Sequence, residues 1–330
     1  MPETAAQIIL SVRDVKVHFR VRDTHAWPWS AARSLKAVDG ISFDLRAGET
    51  LGVVGESGCG KSTLARAILN LIPATAGSIR WMGHEMVGAS ERNWLAVRKD
   101  VQMIFQDPLA SLDPRMTVAQ IIAEPLKTHR PELSHEEVMA QVVAIMGKVG
   151  LTQQQINRYP HEFSGGQCQR IGIARALILK PKLIICDEPV SALDVSIQAQ
   201  IINLLKALQK EMGLALIFIA HDLAVVKHIS QRILVMYLGH EMEVADKAAL
   251  YAAPRHPYTQ ALLSAIPIPD PRLERQKVVQ LLSGDLPSPI KPPSGCVFRT
   301  RCPKAVERCA TEVPALRRLT EQTEAACLLA

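Results

Sequence analysis

The sequence predicts an α/β protein with a parallel sheet covered by helices on both faces, followed by a small cysteine-containing extension. Short apolar runs alternate with helical patterns, which indicates strands joined by crossover helices. A glycine-rich loop lies between one such run and a helix, a setting in which loops bind phosphate groups. Prolines become frequent after residue 253 and interrupt regular structure. We therefore expect two domains, 1–255 and 256–330, with a single nucleotide module and no internal repeat.

The composition is that of a soluble globular protein. Of the 330 residues, 48% are hydrophobic and 21% are charged, which allows a substantial core. Aromatic residues make up only 4%, which disfavours a base-stacking surface, and the net charge of +6 is not gathered into a long basic block. We expect no nucleic-acid partner.

The longest apolar runs argue against a membrane span. Residues 215–220 and 233–238 are far shorter than the roughly 20 residues that a spanning helix needs. Residues 1–10 contain Glu3 and lack the basic start and apolar stretch of a secretion signal. We expect a cytoplasmic chain that reaches a membrane only through a partner.

The first part of the chain predicts strands. Residues 15–19 and 41–45 alternate apolar and polar side chains, as half-buried strands do. The polar, irregular stretch 23–35 between them is expected to be a loop. Residues 51–54 form a compact apolar run that is typical of a buried parallel strand.

Helical patterns follow. Leu64, Ile68 and Leu71 recur at helical spacing, and residues 116–149 predict two helices with Ser134 as a cap between them. Further buried strands are expected at 183–186, 214–220 and 233–237.

Residues 55–62 match the phosphate-loop pattern G-x-x-x-x-G-K-[ST] in full. Its glycines let backbone N–H groups turn towards phosphate oxygens, and the following helix start adds positive potential. Lys61 can reach the β- and γ-phosphates, and the Ser62 hydroxyl can ligate Mg²⁺. The expected nucleotide contacts are Gly55, Glu56, Ser57, Gly58, Cys59, Gly60, Lys61, Ser62 and Thr63.

Two carboxylates end the apolar run 183–186. Asp187 is placed to hold Mg²⁺, and Glu188 to polarise the attacking water as a general base. An Asp–Glu pair at a strand end is weak evidence for a catalytic site by itself, since exposed acidic caps are common. It gains weight from the phosphate loop in the same chain.

The stretch Phe163–Ser164–Gly165–Gly166–Gln167 resembles the signature motif of ATP-binding-cassette (ABC) ATPases. A serine, two glycines and a helix start can form an anion site. The resemblance implies that this site contacts the γ-phosphate held by the other subunit of a dimer. It also implies a P-loop NTPase with a RecA-like parallel-sheet core, an antiparallel β-subdomain, and an α-helical subdomain at about 107–180 that contacts membrane subunits.

The same resemblance assigns the remaining motifs in order. Gln106 corresponds to the Q-loop glutamine, which senses Mg²⁺ and the attacking water, and Asp194 lies in the D-loop at the dimer interface. His221 corresponds to the switch histidine, which contacts the γ-phosphate. Phe19 is the candidate for stacking on adenine, the alternative being a plain core residue.

Beyond the motifs, the whole chain resembles the F-type ATPase subunits of the bacterial oligopeptide permease family. The resemblance includes residues 157–162 (NRYPHE), 256–259 (HPYT) and the tail 287–296. It implies oligopeptide uptake driven by ATP and Mg²⁺ at the cytoplasmic face of the bacterial inner membrane, with dipeptides, nickel or glutathione as alternative solutes. The implied partners are a second, paralogous ATPase subunit in a heterodimer, two transmembrane permease subunits and an extracytoplasmic peptide-binding protein.

Four cysteines cluster near the C-terminus: Cys296, Cys302, Cys309 and Cys327. Four thiolates suffice for zinc or for a [4Fe–4S] cluster, but close C-x2–4-C zinc pairs are missing. Cys302 precedes Pro303, as in bacterial ferredoxin motifs, and related importer ATPases carry such a cluster. An iron–sulfur cluster is therefore favoured, with zinc and unligated cysteines as alternatives.

Two other classes fit less well. Soluble ABC ATPases that act on nucleic acid or ribosomes usually have two cassettes or long heptad arms, and this sequence has neither. A small-molecule kinase with a phosphate loop leaves residues 164–167 and His221 unexplained.

Overall fold

In a computed structural model, the chain is described over residues 7–21, 33–268 and 270–330, and the expected alternation of strands and helices is confirmed. The strands are β1 (Ile8–Val21), β2 (Arg33–Arg46), β3 (Thr50–Val54), β4 (Ala76–Trp81), β5 (His84–Glu85), β6 (Val101–Ile104), β7 (Leu183–Asp187), β8 (Ala215–Ala220), β9 (Arg232–Tyr237), β10 (His240–Asp246), β11 (Arg317–Thr320) and β12 (Thr323–Ala325). The α-helices are α1 (Lys61–Ile68), α2 (Glu91–Arg98), α3 (Val118–His129), α4 (His135–Lys148), α5 (Gly165–Leu177), α6 (Val195–Met212), α7 (Leu223–Ile229), α8 (Lys247–Ala252), α9 (Pro257–Ser264), α10 (Pro271–Gln276) and α11 (Arg308–Thr311).

The described residues divide into two compact units. The first unit contains residues 7–8, 45–50 and 88–219, and its sheet consists of β6, β7 and β8. All three strands are parallel, with Val101 opposite Leu183 and Leu183 opposite Ala215. Every residue of β7 and β8 is buried, which explains their unbroken apolar sequences.

Helices α3, α4 and α5 pack against one another in the first unit. The predicted cap at Ser134 is confirmed, since its hydroxyl accepts a hydrogen bond from the Glu137 backbone N–H at 3.2 Å. The Glu137 carboxylate accepts the Ser134 N–H in return, which completes a capping box at the start of α4.

The second unit contains residues 9–44, 51–87, 220–268 and 270–330. One of its sheets has the strand order β2–β1–β4–β5, with β1 antiparallel to β4 and β4 antiparallel to β5. The predicted strands 15–19 and 41–45 lie within β1 and β2. The expected loop over 23–35 is wrong at residues 33–35, because hydrogen bonding along the sheet starts β2 before the apolar alternation is visible. Residues 23–32 lie outside the described part of the chain.

The other sheet of the second unit has the order β11–β12–β10–β9–β3. Strand β3 is parallel to β9, whereas β9–β10, β10–β12 and β12–β11 are antiparallel. The C-terminal strands β11 and β12 therefore extend the sheet that contains β9 and β3. Apolar side chains beyond residue 255 share its core, since Phe298 and Tyr258 are fully buried beside Tyr237 of β9.

Helix α1 is shorter than its apolar spacing predicts. It ends at Ile68, and Leu71 lies beyond it with 52% of its surface exposed. Asn70 adopts a left-handed conformation (φ 53°), which ends the helix at this point. Among the residues described, none of the helices combines the length and apolar character that crossing a bilayer requires.

Candidate nucleotide-binding site

The loop between β3 and α1 is shaped by glycines that no other residue can replace without strain. Gly55 (φ 155°) and Gly60 (φ 106°) have positive backbone angles. A Cβ atom on Gly55 would lie 2.2 Å from the Met236 carbonyl oxygen, and one on Gly60 would lie 2.1 Å from the Ala37 carbonyl oxygen. Since both neighbours are backbone atoms, only glycine lets the loop pass this close.

Lys61 is the first residue of α1 and is 4% exposed. Its ammonium donates hydrogen bonds to the Gly55 carbonyl oxygen at 2.8 Å and to the Glu56 carbonyl oxygen at 3.1 Å. The positive charge is therefore held inside the loop, at a helix start. This arrangement suits a phosphate group, because loop N–H groups, the helix dipole and Lys61 all favour an anion.

Glu56 connects the loop to distant parts of the chain. Its backbone N–H donates to the Tyr258 hydroxyl at 2.9 Å, and its carboxylate lies 2.7 Å from the Arg301 guanidinium. Sequence analysis missed both contacts, because the partners are 202 and 245 residues away. The resemblance of residues 256–259 to a family motif marks Tyr258 but does not reveal its partner.

Two carboxylates, those of Asp187 and Glu188, lie at the C-terminal end of β7 in the first unit. Asp187 is 1% exposed, and Glu188 follows it with a positive φ of 45°. The Glu188 N–H donates to the Ile219 carbonyl oxygen at 3.1 Å, and its carboxylate accepts a hydrogen bond from the Gln106 side-chain amide at 3.2 Å. Positive φ is uncommon outside glycine and occurs often at functional sites. Two of the predicted catalytic residues, Gln106 and Glu188, are thus in direct contact.

The signature residues form the start of α5. Ser164 is the N-cap, and its hydroxyl accepts from the Gln167 N–H at 3.4 Å. The Gln167 side-chain oxygen accepts the Ser164 N–H at 3.0 Å, completing a capping box. A Cβ atom on Gly166 would lie 2.6 Å from the Ile197 side chain, so this glycine lets α5 and α6 pack closely.

Three further predicted site residues are Asp194, His221 and Phe19. Asp194 is the N-cap of α6, where its carboxylate accepts from the Ser196 hydroxyl and the Ile197 N–H. These bonds, led by that of Ser196, lower the pKa of Asp194. His221 directly follows β8 and is exposed. Phe19 is 36% exposed, so its side chain is not part of the core of its unit.

The four C-terminal cysteines are neighbours. Cys296 and Cys309 are buried, Cys302 and Cys327 are half-buried, and the Cys296 N–H donates to the Cys309 carbonyl oxygen at 2.8 Å. Burial raises the pKa of Cys296, and the three nearby thiols raise it further. Within the described ranges, however, no group of three or more His, Cys, Asp or Glu side chains is disposed to hold a metal ion. As the side chains stand, these cysteines do not fit a bound cluster.

Two family models match the chain. Residues 38–191 match the model described as ABC transporter, which includes the phosphate loop, the signature residues and the end of β7. Residues 242–309 match the model described as oligopeptide/dipeptide transporter, C-terminal region.

Similar proteins cover almost the whole chain. The oligopeptide transport ATP-binding protein OppF of Escherichia coli (strain K12) is 66% identical over 94% of this chain and 93% of its own length. OppF of Haemophilus influenzae is 62% identical over 98% of this chain and 97% of its own length. Among solved structures, the post-hydrolysis dimer of the ATP-binding cassette MJ0796 with ADP and Pi has a TM-score of 0.65 at 26% identity, covering 72% of this chain and 99% of that one. The chain therefore belongs to the oligopeptide-transport ATP-binding proteins of the ABC transporter family.

Proposed function

We propose that the chain is the ATP-binding and ATP-hydrolysing subunit of an ABC importer that takes up oligopeptides across the cytoplasmic membrane. The observation that carries this proposal is the phosphate loop, in which Gly55 and Gly60 permit a close backbone turn around the buried ammonium of Lys61. The identity of 66% to a protein named for oligopeptide transport supports the solute class.

In this proposal, the roles of the site residues follow from their chemistry. The loop N–H groups and Lys61 bind the β- and γ-phosphates. Mg²⁺, when bound, neutralises phosphate charge, and Ser62, Asp187 and Gln106 are the residues that would hold it. Glu188 accepts a proton from the attacking water, and the amide of Gln106 orients its carboxylate. His221 contacts the γ-phosphate, and Phe19 stacks on adenine.

The second half of each nucleotide site comes from a partner. The start of α5, residues 164–167, contacts the nucleotide held by a paralogous ATPase subunit, and Asp194 lies at that interface. The helices between residues 107 and 180 contact two transmembrane permease subunits, and an extracytoplasmic peptide-binding protein delivers the solute. The chain is then peripheral, at the cytoplasmic face of the membrane. ATP-driven closure of the ATPase pair would be transmitted to the membrane subunits, the usual logic of nucleotide switches.

The test is to isolate the full-length chain, carrying an affinity tag, from its own cells in mild detergent. We expect a second ATPase and two polytopic membrane proteins to copurify. Copurification of ribosomes or nucleic acid in their place would contradict the proposal and favour the soluble ABC ATPase class.

The solute is tested by uptake in cells that lack the chain. We expect loss of uptake of labelled tripeptides to pentapeptides, and the Lys61→Ala variant should not restore it. If dipeptide, nickel or glutathione uptake is lost instead, the ATPase role stands and the oligopeptide assignment is wrong.

The iron–sulfur cluster is a separate proposal, and it requires the four thiols to rearrange, because as they stand they are not disposed to hold a metal ion. It is supported by the shared location of Cys296, Cys302, Cys309 and Cys327, and by Pro303 after Cys302. Iron and acid-labile sulfide should be measured in full-length protein purified without oxygen. About four iron atoms per chain would support the cluster, and iron-free protein would exclude it.

A further inference from the structure

All three polar groups of Glu56 in the phosphate loop are engaged. Its N–H donates to the Tyr258 hydroxyl, its carboxylate pairs with Arg301, and its carbonyl oxygen accepts from the Lys61 ammonium. Tyr258 and Arg301 both lie beyond residue 255, in the C-terminal segment. One loop residue therefore joins this segment to the lysine that binds phosphate.

The C-terminal partners of Glu56 are held rigidly. Tyr258 packs against Tyr237 and Phe298, with ring centroids 4.9 and 5.3 Å away, and all three rings are fully buried. The backbone N–H of Tyr258 also donates to the His256 imidazole at 3.0 Å. Because the ring cannot move freely, its hydroxyl presents a fixed acceptor to the loop.

The charge pair is shielded from water on the arginine side. The Arg301 side chain is 10% exposed and that of Glu56 is 27% exposed. Burial lowers the pKa of Arg301, but the hydrogen bonds and charges of Glu56 and Tyr237 together more than offset this effect. Removing one partner would leave a poorly solvated charge, so the pair constrains where Glu56 can lie.

A glycine-rich loop benefits from such a constraint. Gly55, Gly58 and Gly60 all have positive φ, and glycine loses more conformational freedom on ordering than any other residue. External contacts that hold the loop before nucleotide arrives reduce the entropy that binding must overcome.

We propose that Tyr258 and Arg301 are positioning residues for nucleotide binding, which hold the phosphate loop in its binding shape through Glu56. The C-terminal segment then sets the ATP affinity of the ATPase core. This inference rests on the proposed role of residues 55–62 as the phosphate-binding loop.

The test measures ATP hydrolysis by the assembled importer with Arg301→Gln, and compares KM with kcat. We expect the KM for ATP to rise about 5- to 10-fold with kcat little changed, since the contact acts on binding. Arg301→Lys should restore part of the affinity, and Tyr258→Phe should weaken it without emptying the ring cluster.

Arg299→Gln is the matched control. The Arg299 side chain donates its hydrogen bonds to Ser294 in the same segment, away from Glu56, so the variant should leave KM unchanged.

A double-mutant cycle makes the inference specific. The single variant Glu56→Gln should raise the KM for ATP as much as Arg301→Gln does. The double variant Glu56→Gln/Arg301→Gln should raise it no further, because all three variants lack the same ion pair. Additive effects would overturn the proposal. So would a variant with lower thermal stability but wild-type KM, which would make the pair merely structural. If Lys61→Ala also leaves ATP binding unchanged, the assignment of the loop itself fails, and not only that of its supports.

Discussion

Glu188 is one of six described non-glycine residues with a positive φ. A glutamate with φ of 45° is strained, and the chain maintains this conformation where β7 ends, with the carboxylate directed to Gln106. Strain of this kind persists only where surrounding contacts determine it. Here the Glu188 N–H is fixed by the Ile219 carbonyl oxygen of the neighbouring strand β8.

Replacing Glu188 with glutamine should separate binding from hydrolysis. The amide keeps the shape and an acceptor for Gln106 but cannot take a proton. We expect steady-state ATP hydrolysis to fall about 10²- to 10⁴-fold while MgATP affinity is retained. Both are measured on the assembled importer, with Glu211→Gln as the control because Glu211 only pairs with Lys148 at the surface. Wild-type turnover in Glu188→Gln would show that Glu188 is not the base.

Glu241 of β10 should make stability depend on pH. It is 8% exposed, and burial raises its pKa from 4.5 to about 8, although the Ser42 N–H donates to its carboxylate at 3.1 Å. Between these two values the folded protein keeps a proton that the unfolded chain releases. Folding stability should therefore decrease as pH rises from 4.5 to about 8.

Glu241→Gln should remove this dependence, because glutamine resembles the protonated acid. We expect the variant to be more stable than the wild type near pH 8 by about 1–3 kcal/mol, with little difference at pH 4.5. Urea denaturation at both pH values measures this. Glu312→Gln, a surface partner of Arg308, should leave the pH dependence intact. An unchanged pH profile in Glu241→Gln would rule out this titration.

At the level of elements, α4 and α5 both begin with a capping box, so the two helix starts can be compared directly. Ser134 and Ser164 each cap a helix and exchange hydrogen bonds with the residue three positions later. Either serine-to-alanine change should cost about 1 kcal/mol of stability, measured by thermal unfolding.

Hydrolysis by the assembled importer should distinguish the two caps. Ser164→Ala is expected to lower it roughly 10- to 100-fold, because the proposal places this hydroxyl near the partner's nucleotide. Ser134→Ala should leave it unchanged. Equal losses would mean that Ser164 acts only as a helix cap.

At the level of the whole molecule, the C-terminal segment does not separate cleanly from what precedes it. Strand β12 pairs with β10, and Phe298 packs on Tyr237 with ring centroids 5.2 Å apart. Ending the chain at residue 255 would expose that tyrosine and a sheet edge, and exposed edges promote aggregation.

We therefore expect the fragment 1–255 to be insoluble or to unfold at a lower temperature, whereas removal of residues 328–330 should have little effect. Soluble expression and thermal unfolding are the measurements. A fragment 1–255 with wild-type stability would instead support two independent domains.

Much of the local structure was predictable because it depends on neighbouring residues. The buried runs of β7 and β8 and the cap at Ser134 follow from hydrophobic period and capping chemistry. The exact end of α1 was not predictable, because apolar spacing continues to Leu71 after Asn70 has already turned the chain. The start of β2 at Arg33 was missed for a related reason, since a strand can extend beyond its alternating pattern.

The sequence by itself determined which residues are candidates for the chemistry, because the predicted phosphate loop, signature motif and carboxylate-ended strand are each built from contiguous residues. Only the tertiary structure decided which distant groups support them. Gln106 and Glu188 are 82 residues apart, and Glu56 and Arg301 are 245 apart. Such pairs form when the folded chain brings separate segments together, and a pattern confined to one segment contains no record of its partner.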